Sequence, residues 1–517
     1  MKDLESHKVD PLHGLDSRWS WITAASCTWM LFFATFSVRV TGVLFFGIMG
    51  TFGVTRKQAS WPVTLHSCFL HLGGPVMGLL CRRFSCRTVL LVCTSLTGPA
   101  TALCFFAEGV LFINIFFGVL HGFTLSGMLV GVNVVMAQHF EKWRNTAFSV
   151  LFTVSSLSTF AIPPAIEFFR ITYGIRGAFL LLGALMFNTL PGAIIVKSPA
   201  WMNRNFNQGV KKKEKKSNRS ILSEKLQSKR KDETVCSEAS FPGTISAASR
   251  IDAPKDVLDW STKVNNSQTP TEGTVQADEL KETMKKFLSV LFWCDALSFA
   301  TVVFSQTTFV LLSVDLSRDK NITPSEAVYL LYALSAGDTV FRTVSGLVID
   351  SGHLSLEAVM ALGHLVQALA FELLVWSTSL PMLLLSSVLV GVGHGSTIFL
   401  ETPVCVKDFG MSALPIMVGG MSFCVGVVIL GLPILTGHFR DKLQDYNGLL
   451  HVIAVANVLL LAIWSLRMVV ERRKRRKSVS LCHRKKNQQI CSINVNPVSG
   501  TCEAGNPSHA NKENCTM

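Results

Sequence analysis

The sequence predicts an all-α polytopic membrane protein with twelve transmembrane helices in two bundles of six, and three observations support this prediction. The 517 residues are 49% hydrophobic and only 16% charged, with a mean hydropathy of +0.39, whereas about 25% of the residues of a soluble chain are charged. Apolar runs of about twenty residues, the length that crosses a bilayer, recur along the chain. One long polar segment divides these runs into two sets.

The apolar runs fall into two groups of six. The first run is long enough to be tilted or broken within the membrane. The predicted spans lie at about 21–49, 61–80, 88–107, 111–137, 147–167 and 176–196, and then at about 288–313, 327–349, 357–377, 381–405, 412–437 and 447–470. The two predicted bundles therefore cover residues 21–196 and 288–470.

Three polar segments flank these bundles: residues 1–20, 197–287 and 471–517. The first has no apolar core followed by a small-residue cleavage site, so we do not expect a cleaved signal peptide. The other two are predicted to be disordered, because their polar composition buries too little apolar surface to fold. Lys and Arg collect in both, and in the loops after the second and fourth spans. The positive-inside rule then places both termini in the cytoplasm.

The net charge of +14 is interpreted as a topology signal. The basic runs flank membrane spans and lack interleaved aromatic residues, so they do not predict nucleic-acid binding. Many of the 14 cysteines lie inside predicted spans and are expected to be small packing residues. The sequence contains no phosphate-binding loop, metal-binding helix or nucleophile elbow. We therefore expect neither an enzyme nor a cofactor or metal site.

The six-plus-six pattern is typical of the major facilitator fold, in which two six-helix bundles rock about a site near the membrane midplane. The eighth predicted span, within "YLLYALSAGDTVFRTVSGLVID", contains Asp338 and Arg342. A charged side chain at the bilayer centre costs roughly 2.5–3.5 kcal/mol. Their spacing of four residues puts the two charges on one helix face, close enough to pair. The pair either holds helices together or lines a cavity, and intramembrane charges favour the cavity.

The first predicted span contains a further charge, Arg39, within "MLFFATFSVRVTGVLFF". Arg stays protonated, and no acidic residue lies one turn away. Its counter-ion is expected on another helix, in water or on a ligand, unless the side chain reaches the membrane interface. Arg39, Arg342 and ionised Asp338 sum to +1, which suits one carboxylate. The charge pattern therefore predicts a carrier for a small organic monoanion.

Five histidines lie inside predicted spans, and we expect neutral, hydrogen-bonded helix contacts for them: His66, His71, His121, His364 and His394. His71, just before "LGGP", is singled out because histidine titrates near neutral pH.

Five motifs in chain order resemble those of the monocarboxylate transporter family of the major facilitator superfamily, over nearly all of 16–470. The first, "DSRWSW", is similar to the family's acidic-Gly-Gly-Trp-Gly-Trp signature before the first span, although its glycines are replaced. The others match signatures at spans five, six, eight and ten: "HFEKWRNTAFS" (His139 to Ser149), "YGIRGAFLLLG" (Tyr173 to Gly183), "GDTVFRTVSG" (Gly337 to Gly346) and "FLET" (Phe399 to Thr402).

The resemblance implies a plasma-membrane carrier of small monocarboxylates that works by alternating access. In that family the span-eight pair and a basic residue in the first span, usually Lys, handle the carboxylate and a co-transported proton. The matching positions are Asp338, Arg342 and Arg39, which are the expected substrate-binding residues. His71 falls where proton-coupled members often have a cavity-facing Tyr. Asp338 and His71 are therefore the two proton-coupling candidates.

Arg39 departs from the family in a consequential way, because Lys can release a proton in a desolvated site and Arg cannot. Two transport alternatives stay open: proton symport of monocarboxylates, and proton-independent facilitation of a bulkier or zwitterionic carboxylate such as an aromatic amino acid. An alternative of another class is a non-transporting membrane scaffold or sensor. Several family members reach the surface with a single-pass immunoglobulin-like subunit, so the resemblance adds that partner to the expectations beside the lipid bilayer.

Overall fold

Helices account for the regular secondary structure in the residues that the computed structural model describes, which are 14–197, 281–320, 324–442 and 444–493. The chain divides into one unit of residues 1–464 and another of residues 465–517. Both sets of helices that were predicted as bundles belong to the first unit, apart from the end of the last helix.

The N-terminal half contains several broken helices, because short turns or bends interrupt the apolar runs. In chain order they are α1 (Arg18–Ala34), α2 (Phe36–Arg39), α3 (Thr41–Phe52), α4 (Arg56–Leu72), α5 (Gly74–Arg83), α6 (Cys86–Ala102), a 3₁₀ turn (Leu103–Phe106), α7 (Val110–Ile113), a π-helical turn (Asn114–His121), α8 (Gly122–His139), α9 (Arg144–Phe187) and α10 (Thr189–Ile195). The first predicted span is thus broken into α1, α2 and α3, and α4 meets α5 at a bend of 42°.

The C-terminal half has longer helices with one interrupted span near its middle. They are α11 (Val290–Asp319), α12 (Pro324–Asp350), α13 (Leu356–Trp376), α14 (Leu380–Thr397), a 3₁₀ turn (Ile398–Leu400), α15 (Glu401–Phe409), α16 (Leu414–Leu430), α17 (Leu432–Gly437), a π-helical turn (His438–Lys442) and α18 (Asn447–Ile493).

Each of the twelve predicted spans lies on helical backbone. Among the described residues, nine helices are long and apolar enough to cross a membrane, or ten if the bent pair of α4 and α5 counts as one span. The fifth and sixth predicted spans share one run of 52 residues, Arg144–Ile195, which Gly174 interrupts with a φ of 70°. Helix α12, with its buried charges, is not among the nine. The structure therefore supports the helical membrane fold, and the count of twelve stays a prediction.

Small residues bring the two halves into close contact at two places. A Cβ atom at Gly78 of α5 would overlap the carbonyl oxygen of Pro415 in α16, and one at Gly346 of α12 would overlap the Ser149 side chain of α9. Near the second contact, the Asp350 carboxylate accepts hydrogen bonds from Asn145 Nδ2 at 2.7 Å and from the Thr146 amide at 2.6 Å. The bundles therefore meet along α5–α16 and α9–α12.

Two of the sequence motifs contact each other. Asp16 has a φ of 53°, and its carboxylate accepts hydrogen bonds from the backbone amides of Glu141, Lys142 and Trp143 at 3.2, 2.9 and 3.1 Å. Trp143 is the N-cap residue of α9, whose first amides have no partner within the helix. "DSRWSW" therefore fixes the turn in "HFEKWRN", which shows a structural role for both motifs.

The final helix continues to Ile493, past the predicted end of the last span at 470. Lys474 Nζ donates to Glu471 Oε1 at 2.8 Å, a one-turn pair that favours helix. Residues 281–286 are also helical. Most of the predicted disordered segments, residues 198–280 and 494–517, lie outside the described residues, as does the N-terminal segment 1–13.

Candidate functional site

Asp338 and Arg342 pair one turn apart on α12, as their spacing predicts. Arg342 Nη2 lies 2.5 Å from Oδ1 and 2.7 Å from Oδ2 of Asp338. The residues are only 2% and 3% exposed. Each charge is therefore compensated at close range, which lowers the cost of burying it.

Arg342 also joins the two bundles. Its Nη1 donates to the Phe152 carbonyl oxygen of α9 at 3.1 Å, and its guanidinium carbon lies 5.9 Å from the Phe152 ring centroid. Ser149 Oγ donates to the Arg342 carbonyl oxygen at 2.6 Å. The remaining guanidinium donor, Nε, is buried and has no hydrogen-bond acceptor within the described part of the chain. Arg342 is therefore held in place but keeps one donor for a further acceptor.

His394 of α14 completes the contacts of Asp338. Its Nδ1 lies 2.8 Å from Asp338 Oδ1 and 3.4 Å from Arg342 Nη2, and the ring is buried. A Cβ atom at Gly391 would overlap the Leu334 carbonyl oxygen, and one at Gly395 would overlap that of Asp338. These glycines let α14 lie directly against α12. Sequence reasoning did not include His394 in the site, although two glycines at four-residue spacing around it signal close helix packing.

Arg39 belongs to the same charge cluster, from the other bundle. It ends α2, a helix of only four residues between Thr35 and Val40, so it lies where the first span is broken. Its guanidinium interacts electrostatically with Asp338, Arg342 and His394. The Nε of Arg39 is also buried without a hydrogen-bond acceptor among the described residues. The structure thus brings together three of the four residues that the sequence singled out.

Polar contacts hold the broken segment of the first span. Ser37 Oγ lies 3.2 Å from His66 Nε2, and Thr35 Oγ1 lies 3.3 Å from Ser158 Oγ. His66 in turn stacks on Phe117, with ring centroids 5.0 Å apart. A helix broken at membrane depth is characteristic of transporter binding sites, and here the break carries Arg39.

His71, the fourth candidate, lies elsewhere. It is near the end of α4, next to the bend, with Nδ1 3.4 Å from Ser422 Oγ of α16. A Cβ atom at Gly426 of the same helix would lie 3.0 Å from His71 Cβ. Among the described residues its contacts are with α16, and none of its hydrogen bonds is to Asp338. His71 therefore lies at the α4–α16 contact between the bundles.

Two further buried carboxyl groups lie beyond the cluster. Asp295 of α11 and Glu401 of α15 line a cavity of about 10 Å³ together with Thr397, and they are 2% and 9% exposed. A cavity of this size holds about one water molecule. No group of three His, Cys, Asp or Glu side chains suited to a metal ion occurs within the described ranges.

Two helical bundles with a buried charge cluster between them, at a broken helix, define the architecture of a secondary transporter. The chain belongs to the major facilitator superfamily, whose family model matches residues 27–259 and 294–492. Within this superfamily it is a divergent relative of the monocarboxylate transporters, and its relatives are transporters rather than enzymes.

Two relatives match most of their length. Monocarboxylate transporter 7 of Homo sapiens is 22% identical over 453 residues, which are 84% of this chain and 83% of that protein. Monocarboxylate transporter 3 of Gallus gallus is 21% identical over 466 residues, covering 88% and 79%. Monocarboxylate transporter 1 of Bos taurus is 26% identical over 173 residues, 34% of either chain.

The fold is similar to a solved structure of the proton:xylose symporter XylE of the major facilitator superfamily, bound to 6-bromo-6-deoxy-D-glucose. The TM-score is 0.63 over 86% of this chain and 94% of that one. The two sequences are 11% identical, so this likeness shows the fold alone. The predicted major facilitator fold is confirmed.

Proposed function

We propose that the protein carries small organic monocarboxylates across the plasma membrane by alternating access, with Arg39 and Arg342 binding the carboxylate and Asp338 orienting Arg342. The single observation that supports this most is the pair of arginine side chains on opposite bundles, each with a buried Nε. Each keeps an Nε donor without an acceptor in the described part of the chain. Arg342 pairs with the Asp338 carboxylate, and the charge of the same carboxylate acts on Arg39.

A substrate carboxylate fits this arrangement physically. A buried donor without a partner costs about 1–3 kcal/mol, and a carboxylate supplies strong, charge-assisted acceptors to guanidinium groups. With His394 neutral, Arg39, Arg342 and Asp338 have a net charge of +1, which one monoanion neutralises. A small monocarboxylate therefore matches the site in both charge and hydrogen bonding.

Alternating access requires contacts between the bundles that can break and re-form. The α9–α12 contact consists of small polar pairs: Thr153 Oγ1 lies 3.0 Å from Thr343 Oγ1, and Ser156 Oγ lies 3.0 Å from Thr339 Oγ1. Such neutral hydrogen bonds contribute only about 0.5–1.5 kcal/mol each. A carboxylate bridging Arg39 and Arg342 would contact both bundles at once and would stay bound while the bundles rock about the site.

Charge transfer during the cycle separates the two transport alternatives. If a proton travels with the monoanion, the empty and loaded sites both carry +1 and no net charge moves. Without a proton, the loaded site carries 0 and each cycle moves charge, which is worth about 2.3 kcal/mol per 100 mV. We propose proton symport, and proton-independent facilitation of a zwitterionic or bulkier carboxylate is the second candidate because Arg39 cannot release a proton.

The test is uptake of labelled L-lactate, acetate and a panel of aromatic amino acids into voltage-clamped oocytes. Uptake per molecule at the cell surface, with the surface protein measured by biotinylation, should be lost in Arg39→Gln and in Arg342→Gln. Arg170→Gln is the matched control, because Arg170 pairs with Glu167 at 2.6 Å one turn away but outside the cluster. Wild-type protein that carries no carboxylate would overturn the proposal and favour a scaffold, whereas unchanged flux per surface molecule in Arg342→Gln would overturn the assigned carboxylate site.

A further inference from the structure

We infer that His394 is the residue that binds the co-transported proton, and that Asp338 stays ionised as its fixed counter-ion. The inference rests on the proposed carboxylate transport and assigns its proton to a residue that the sequence did not indicate. It follows from three features of the site. These are the number of donors that contact the Asp338 carboxylate, the ring nitrogen of His394 that can still bind a proton, and the change in the net charge of the site when an anion binds.

Both oxygens of the Asp338 carboxylate already accept hydrogen bonds from neighbouring side chains. Both of its oxygens contact Arg342 Nη2, and Oδ1 also lies 2.8 Å from His394 Nδ1. A proton on this carboxylate would have to displace one of these donors inside a buried cluster that also feels Arg39. The geometry therefore favours Asp338 as a permanent anion.

The hydrogen bond to Asp338 determines the state of the imidazole. An ionised carboxylate only accepts hydrogen bonds, so Nδ1 of His394 carries the hydrogen. The lone pair of the neutral ring is then on Nε2, which is the nitrogen left to take a proton. A histidine held by an aspartate in this way is oriented, and its protonated form is stabilised by the adjacent carboxylate.

The charged groups around His394 make proton binding depend on the anion. Helix α12 presents Asp338 and Arg342, the broken first span presents Arg39, and α13 presents the uncharged Gln367 to the same stretch of α14. Asp295 and Glu401 lie around Thr397, one turn further on.

In the empty site a proton on His394 would raise the net charge from +1 to +2, which burial disfavours. With a carboxylate bound, the same proton raises the charge only from 0 to +1. Anion and proton therefore increase each other's affinity, and this coupling is reciprocal. During the cycle Nε2 forms an N–H bond with a proton from hydronium on one side of the membrane, leaving water. It returns that proton to water on the other side after the anion leaves.

The experiment compares His394→Asn with the wild-type protein in lactate uptake at external pH 6 and 7.5. Asn keeps a donor near the Nδ1 position but does not titrate in this range. We expect wild-type uptake to rise severalfold in acid, by up to about tenfold, without net current. His394→Asn should flatten this rise to less than about twofold and produce an outward current, because unaccompanied anion then enters.

The matched control is His451→Asn, since His451 makes the same kind of Nδ1 contact, 2.9 Å from Glu372 Oε1, outside the cluster. It should keep the wild-type pH response. Lactate exchange that is retained in preloaded oocytes establishes that a variant is folded. His394→Gln is measured in the same way, and we expect it to behave like His394→Asn. An exchange-active His394→Asn with the wild-type pH response overturns the inference, as does loss of that response in His71→Asn instead.

The remaining outcomes separate the two proposals. Wild-type carboxylate flux that does not change with pH overturns the role of His394 and leaves a carboxylate facilitator. A wild-type protein without carboxylate flux overturns the proposed function, and the inference fails with it.

Discussion

Both carboxylate oxygens of Asp338 lie against a single nitrogen of Arg342, Nη2, at 2.5 and 2.7 Å. A parallel, two-nitrogen contact would occupy a whole edge of the guanidinium group. Here Nη1 is taken up by the Phe152 carbonyl oxygen, and Nε keeps its hydrogen for another acceptor. Asp338 therefore neutralises and positions Arg342, while Arg342 Nε remains available to donate a hydrogen bond to an anion.

Removing one member of this pair should destabilise the protein more than removing both. Asp338→Asn leaves the buried Arg342 guanidinium without its counter-ion, and breaking a buried ion pair costs about 3–5 kcal/mol. We expect a lower melting temperature in detergent and less protein at the cell surface. Asp338→Asn/Arg342→Gln should recover part of that stability, because only Arg39 is then left charged, while transport stays absent.

The control for this pair is Asp319→Asn, because Asp319 binds Arg440 at 2.6 Å in a partly exposed position. An exposed pair contributes about 0–1 kcal/mol, so this variant should melt close to the wild type. Equal melting of Asp338→Asn and the wild type would show that the buried pair is not required for stability.

The glycines beside His394 should resist substitution. A methyl group at Gly391 or Gly395 would overlap a backbone oxygen of α12, which no rotamer change can relieve, so α14 must move away from Asp338. We expect Gly395→Ala to cost about 1–3 kcal/mol, to lower the melting temperature and to reduce carboxylate flux. Gly50→Ala, in open space at the end of α3, should leave both measurements unchanged. A fully active Gly395→Ala would contradict the close packing.

The sequence was sufficient to predict features that depend on local spacing. The helix period puts Asp338 and Arg342 on one face, and the length of the first apolar run indicates that it can tilt or break. The position of the break, beside Arg39, is seen only in the structure. His394 could not be assigned in this way, because its partner Asp338 is 56 residues away on another helix. Periodicity indicates which face of a helix is buried and leaves open which helix it meets. The glycines at 391 and 395 signal a close neighbour without identifying it.

The same limit applies to the motifs. "DSRWSW" and "HFEKWRN" were recognised separately, as two signatures of one family. Only the fold shows that Asp16 binds the three amides before α9, since 125 residues separate Asp16 from Glu141. His71 lies beside the bend between α4 and α5, and its contacts with α16, which the sequence does not reveal, place it between the bundles.

Asp16 should contribute to stability rather than to substrate recognition. Asp16→Ala removes the acceptor for three backbone donors, and hydrogen bonds to charged groups contribute about 1.5–3 kcal/mol. The upper end of that range is not expected, because the site is partly exposed. The melting temperature should fall while the lactate concentration for half-maximal uptake stays the same. Glu141→Gln, an exposed neighbour whose side chain is not part of this contact, is the control. A changed half-maximal concentration in Asp16→Ala would place this turn in the transport mechanism.

The contact of Asp350 with Asn145 and Thr146 should stabilise the conformation seen here. It joins the end of α12 to the start of α9 through bonds of 2.7 and 2.6 Å. Asp350→Ala leaves those donors unpaired, and a loss of about 1.4 kcal/mol shifts a two-state population about tenfold.

Fluorophores introduced as unnatural amino acids at Lys142 and His353 would report the separation of these ends by single-molecule energy transfer. We expect the population with separated ends to increase in Asp350→Ala. It should not change in Asp445→Asn, where the carboxylate binds Asn447 of its own loop at 2.9 Å. Identical distance distributions in Asp350→Ala and the wild-type protein would show that other contacts, such as Gly78 with Pro415, keep the bundles together at this end.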